Sequence, residues 1–136
     1  MAVGERYLHL TAVHLASGLA DQDVRTAQAA ETVAANAGAT GPVIIGGDTN
    51  AGLYIADLSS GQDSDGVSQA WLSAGYDDAH ASLPVEERAT APEYGFVLDL
   101  IFGHGVDFSA PGICSGGDCA GLSDHYPVWA TATLAD

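Results

Sequence analysis

Lysine is missing from this sequence altogether. Its cations are Arg6, Arg25 and Arg88, set against 18 Asp+Glu, so the formal charge is −15 over 136 residues. A chain so short of positive charge argues against a passive, electrostatically driven nucleic-acid binder, because such proteins displace counterions with Lys and Arg. If it touches phosphates, a metal ion must bring the positive charge. Long apolar runs are lacking too, and none approaches the roughly 20 residues of a membrane helix. The N-terminus Met1–Leu8 has no basic stretch followed by an apolar core, so no signal peptide is expected in this chain. Charged residues, at 15%, are too dilute for a disordered chain. The 47% hydrophobic content leans on 24 alanines, and the length allows a single domain, 1–136. Cysteine occurs twice, as Cys114 and Cys119, five positions apart in a glycine-rich loop. The pair could close a small disulfide of about 2 kcal/mol. The alternatives are two free thiols or half of a metal knuckle, although no second Cys/His pair lies nearby to complete tetrahedral zinc. A disulfide implies an oxidising compartment and an exported parent protein. The leaderless start implies the cytoplasm if Met1 is the true beginning.

The pattern of elements is that of a sheet protein. Arg6 to Leu15 alternates with a period of two, placing Leu8, Leu10, Ala12 and His14 on one face. Asp21 to Ala37 reads as a helix, with Asp21 and Asp23 capping its first turn, Val24, Ala27, Ala30 and Ala34 as its apolar stripe, and Gly38 ending it. Pro42-Val43-Ile44-Ile45 is a short, fully apolar strand that empties into the loop Gly46-Gly47-Asp48-Thr49-Asn50. Residues 57–66 are polar and loop-like. Val67 to Ala74 is a short helix closed by Gly75, while Val97–Phe102 and Tyr126–Thr133 are further strands. Strands alternating with helices predict an α/β or α+β sheet protein. Trp71 and Trp129 are expected in the core.

Four segments carry polar side chains where a strand ends or should be apolar. They are Thr11-Ala12-Val13-His14-Leu15, Gly46-Gly47-Asp48-Thr49-Asn50, Val97-Leu98-Asp99-Leu100-Ile101-Phe102 and Ser123-Asp124-His125-Tyr126-Pro127-Val128. Each has an ordinary structural explanation, such as a turn or a satisfied histidine. Asp99 is the hardest to explain that way. An unpaired buried carboxylate costs several kcal/mol, so it needs a partner, and histidine is the natural one.

Taken in this order, with Arg25 and Gln28 on the intervening helix, the segments resemble the second half of the endonuclease/exonuclease/phosphatase superfamily, the DNase I-like fold. The resemblance runs from Tyr7 to Ala132. It implies half of a four-layer α/β/β/α sandwich, one mixed sheet with helices on its outer face. It also implies a metal-dependent phosphoester hydrolase of the nuclease or phosphodiesterase kind. His125 would be the base or clamp beside the scissile phosphate and Asp99 its orienting carboxylate. Asp48 would position or deprotonate the attacking water. Asn50 would hydrogen-bond the phosphoryl oxygens or metal-bound water, and His14 would be the candidate acid for the leaving oxygen. Asp124, with Asp48 and Asn50, would hold the metal, Mg²⁺ by ligand type with Mn²⁺ or Ca²⁺ as alternatives. The implied substrates are nucleic acid, phospholipid head groups or small phosphodiesters.

The departures from the family pattern are equally specific. The sequence opens at the strand bearing the first histidine motif, so the family's first half and its metal-binding glutamate are expected to be missing. Glu5 and Glu31 lack the local context to replace that glutamate. Val97 stands where the family often has arginine. A lone half would expose an apolar sheet face, which implies a homodimer, a complementing N-terminal half, or a catalytically inactive fragment. Asp63-Ser64-Asp65-Gly66 resembles the centre of a calcium loop but fails the EF-hand register at Gly61 and Leu72, leaving only a looser calcium-binding turn. Asp77-Asp78 reads as a solvated or capping pair, and His9, His80 and His104 show no ligand spacing.

Overall fold

A computed structural model describes residues 2–3, 6–18, 21–54, 66–93, 95–119 and 121–134, with the side chains of 2, 3, 6 and 52–54 left aside. Glu5 and the Asp63-Ser64-Asp65 run lie outside the described residues, as does nearly all of the loop expected at 57–66. The elements are β1 (Ala2–Val3), β2 (Arg6–Tyr7), β3 (His9–His14), α1 (Gln22–Asn36), β4 (Val43–Tyr54), α2 (Val67–Ser73), β5 (Asp77–Asp78), β6 (Phe96–His104), β7 (Val106–Ile113) and β8 (Val128–Leu134). A mixed four-stranded sheet has the order β3-β4-β6-β5, with β3 parallel to β4 and the other pairs antiparallel. β7 and β8 form a separate antiparallel ribbon, and β1 and β2 a minimal one. This is the expected α+β architecture.

Both helices cover one face of the sheet. Trp71 of α2 is fully buried there against Phe102, with ring centroids 5.2 Å apart in an edge-on arrangement. Its indole N–H donates to the carbonyl of Ala29 on α1 at 3.3 Å, so one side chain joins both helices to the sheet. Val43, Ile45, Leu100 and Phe102 supply the sheet's side of this core. The pattern on β3 and β6 alternates as a half-buried strand should. Val13, Leu100 and Phe102 point toward the helices, while Leu10, Ala12 and His14 face the other way.

Four expectations need correction. The apolar stripe on α1 is reversed, since Val24, Ala27, Ala30 and Ala34 are exposed and Arg25 and Ala29 are buried. The reason is that Arg25 and Gln28 turn inward to serve the backbone after β3, and small alanines lose little by facing water. Gly46–Asn50 is no loop but part of β4, which continues to Tyr54 with a register break between Asp48 and Leu53. Trp129 is 49% exposed rather than core. It lies over Gly112 of β7, where any β-carbon would meet the indole at 2.3 Å. β7 itself was not foreseen, because Ser109, Pro111 and Gly112 disguise a strand that bulges at Ala110 (φ 47°). Asp78, read as one of a solvated or capping pair, does cap the turn after β5, accepting the His80 backbone N–H at 2.8 Å, and it also pairs with Arg88 at 3.4 Å.

Candidate active site at the end of the open sheet face

The face of the sheet opposite the helices is laid out in rows by the strand register. Leu10, Ile44 and Gly103 are neighbours across β3, β4 and β6; next come Ala12, Gly46 and Ile101; then His14, Asp48 and Asp99. Two rows of apolar and small residues thus end in a row of imidazole and two carboxylates. Because directly paired residues project from the same side of a sheet, three chemically active side chains from three distant segments meet without any loop placing them.

Gly47 makes this row possible. Its backbone is left-handed (φ 143°), and a β-carbon there would lie 2.0 Å from the Val13 carbonyl oxygen. Only glycine lets β3 come close enough for His14 to reach Asp48, with Nε2 and Oδ2 3.6 Å apart. The turn that follows β3 is then tied to α1. Arg25 Nη1 donates to the carbonyls of Ala16 (3.0 Å) and Gly18 (2.7 Å), and Gln28 Oε1 accepts the Ala16 N–H at 2.8 Å. These inward polar contacts explain why Arg25 is buried.

His125 arrives from the segment before β8. Its Nδ1 is 2.7 Å from Asp99 Oδ2 and its backbone N–H donates to Ser123 Oγ at 3.1 Å. Burial alone would lower the affinity of this imidazole for a proton. The hydrogen bond and charge of Asp99, with the charges of Asp48 and Asp124, outweigh burial and raise its pKa above the ordinary value. Asp48, Asp99 and His125 each bring a ligand-type atom within 4.8 Å of the others, a donor set able to take a divalent cation.

Asn50 and Asp124 stand beside this group. Asn50, in a left-handed conformation (φ 49°), donates its backbone N–H to Asp48 Oδ1 at 2.9 Å and its amide to the Leu15 carbonyl at 3.1 Å. Asn50 therefore steadies the Asp48 carboxylate. Asp124 is exposed, and its Oδ1 accepts the Ser123 hydroxyl at 3.2 Å. Cys114 and Cys119 are joined as a disulfide, Cα atoms 5.8 Å apart, in the β7–β8 connection. Glu31 lies exposed on α1.

Two threonines escaped the sequence reading. The hydroxyl of Thr49 donates to the Leu98 carbonyl at 2.8 Å, and that of Thr90 accepts the backbone N–H groups of Leu98 (2.9 Å) and Asp99 (3.0 Å). Both are fully buried. They satisfy β6 around Leu98, where the β4 register breaks and β5 no longer runs alongside. Nothing in the local sequence Arg88-Ala89-Thr90-Ala91 marks this role.

No curated protein sequence matches the chain significantly. Fourteen chains of solved structures do. Among them is a crystal structure of D. rerio TDP2, humanized by 14 mutations, with a TM-score of 0.69 and 22% identity. The match covers 98% of this chain and 58% of that one, so the sequence spans little more than half the length of this structural neighbour and shares its fold. Residues 2–125 match the sequence profile of the Endonuclease/Exonuclease/phosphatase family. That match takes in the His14–Asp48–Asp99 row and His125, and the chain belongs to this family.

Proposed function

We propose that the protein is a metal-dependent phosphoester hydrolase whose attacking water is activated between Asp48 and His125. The observation that carries this reading is the 2.7 Å contact between His125 Nδ1 and Asp99 Oδ2, with Asp48 alongside. When Asp99 accepts the Nδ1 proton, the other ring nitrogen of His125 carries the lone pair, which suits it to take a proton from water. The resulting imidazolium is stabilised by Asp99, Asp48 and Asp124, the groups that raise its pKa. His14, 75% exposed and close to Asp48, is suited to protonate the departing oxygen. Asn50 orients Asp48 through its backbone N–H and can offer its amide to a phosphoryl oxygen. A divalent cation, Mg²⁺ by the preference of hard cations for oxygen, would draw on the donor set around Asp48 and Asp99, with Asp124 and Asn50 as the further oxygen ligands that the family resemblance implies, and when bound would neutralise charge on the phosphoryl group.

The charge of −15 disfavours long duplex DNA and leaves small phosphodiesters and lipid head groups ahead. The disulfide favours an oxidising compartment, and no helix among the described residues is long and apolar enough to cross a membrane. The test is hydrolysis of bis-p-nitrophenyl phosphate with Mg²⁺. Turnover is expected to vanish with chelator and with His125→Ala; turnover that survives both would sink the reading.

A second reading rests on Leu10, 57% exposed on the open face beside Ile44. Here the chain is a half-domain that acts only once a complementing N-terminal half, or a second copy, covers that face. Light scattering of the chain alone and activity assays with a supplied first half separate the two. Full turnover by a monomer would dismiss this alternative.

A further inference from the structure

We infer that Thr90 is the positioning residue that locks Asp99 and His125 together, holding each member of the pair through a different atom. Asp99 lies on β6 and His125 in the segment leading to β8; no ladder of hydrogen bonds joins these two strands, which belong to different sheets. Thr90 bridges them. Its side-chain oxygen accepts the backbone N–H of Asp99 at 3.0 Å, and that of Leu98 at 2.9 Å. Its backbone carbonyl accepts the N–H of Tyr126, the residue after His125, at 2.7 Å. Its own N–H donates to the Phe96 carbonyl at 3.0 Å, anchoring Thr90 to the start of the same strand.

The geometry gives this bridge a specific purpose. β6 loses its β4 partner at Leu98, in the register break between Asp48 and Leu53, while Asp99 keeps Asp48 opposite it; the pairing of β6 with β5 on its other edge is confined to Phe102 and Gly103. At Leu98 and Asp99 β5 no longer runs alongside β6, and the Thr90 hydroxyl accepts the two N–H groups in its place. Thr90 is fully buried, so water cannot substitute for it. Removing the hydroxyl oxygen leaves two buried N–H groups without an acceptor and frees Asp99 to shift while His125 stays with the Thr90 carbonyl.

This inference rests on the hydrolase reading only for its catalytic consequence, and the experiment separates the two. In the full 136-residue chain, Thr90→Val removes the acceptor at nearly constant volume, and Thr90→Ser keeps it. The His125 Nδ1–H resonance in proton NMR reports the bond to Asp99. The Trp71 Nε1–H resonance, bonded to Ala29 in the helix-side core, reports the fold. Thr90→Val should abolish or shift upfield the His125 signal while the Trp71 signal stays in place, and Thr90→Ser should restore it. An unchanged His125 signal in Thr90→Val would overturn the inference. So would parallel loss of both signals together with an unperturbed Thr90→Ser, since Thr90 would then serve the core rather than the pair. With bis-p-nitrophenyl phosphate, Thr90→Val should lower kcat about 10²-fold at constant KM, the cost expected of misplacing a catalytic group. If the wild-type chain hydrolyses nothing, the hydrolase reading fails while the NMR comparison still decides the role of Thr90.

Discussion

Asp48 and Asp99 are directly opposed across β4 and β6, with their side chains on the face of the sheet opposite the helices. Like charges in that arrangement repel and weaken a strand pair, so the sheet is built against its own local stability at one point. His125 answers the repulsion: it bonds Asp99 at 2.7 Å, and its proton is held more firmly by both carboxylates.

The first prediction concerns that proton. Asp99→Asn should bring the His125 pKa down toward the ordinary 6.5, read by NMR titration of the imidazole. Because the folded-state value is raised, the stability it confers is present in full below 6.5 and disappears as pH rises through the folded value. Asp99→Asn should therefore cost more stability at pH 5 than at pH 9. Equal loss at both would contradict it.

His80 should behave in the opposite sense. It is buried beneath the ribbon, its Nε2 3.2 Å from the Trp129 carbonyl. Burial lowers its pKa and Arg88 adds to that, overriding Asp78 and the carbonyls of Trp129 and Gly112. With the folded value depressed, the unfolded chain takes up the proton first, so stability falls as pH drops below 6.5. Denaturant unfolding of His80→Gln should show a flatter acid limb than wild type.

Gly47→Ala should separate β3 from β4, since the new methyl would sit on the Val13 carbonyl in a left-handed backbone position. A loss of more than about 1 kcal/mol is expected from the backbone conformation alone, with hydrolysis reduced through the His14–Asp48 row. Unfolding midpoints and turnover of the same preparation check both parts.

Trp71→Ala should be among the most damaging core changes, at about 3–5 kcal/mol for a buried tryptophan. It removes the hydrogen bond to Ala29 as well as the contact with Phe102. Trp129→Ala, on an exposed site, should cost much less; comparable losses from the two would refute the assignment of the core.

Reduction of Cys114–Cys119 should cost about 2 kcal/mol, because the bridge closes only a short loop. Thermal unfolding with and without a reductant measures it.

The one-dimensional order of residues already marked the polar groups that the fold brings together. His14, Asp48, Asp99 and His125 each stood out because a polar group interrupted an apolar strand pattern, and an isolated carboxylate in Val97–Phe102 demanded a partner. The β3 and β6 strands and the α2 boundary are legible for the same reason, since alternation and a closing glycine are local signals, whereas β7 and the extension of β4 are not. What only the tertiary structure decided is how those groups meet and what holds them. Local periodicity made the inward face of α1 seem apolar, yet Arg25 and Gln28 turn inward because distant carbonyl and N–H groups after β3 require partners. Thr90 carries no local mark either, as its task is created where β5 stops pairing with β6. Hydrophobic patterning is written residue by residue, but the satisfaction of buried backbone groups depends on which segments become neighbours, and only folding settles that.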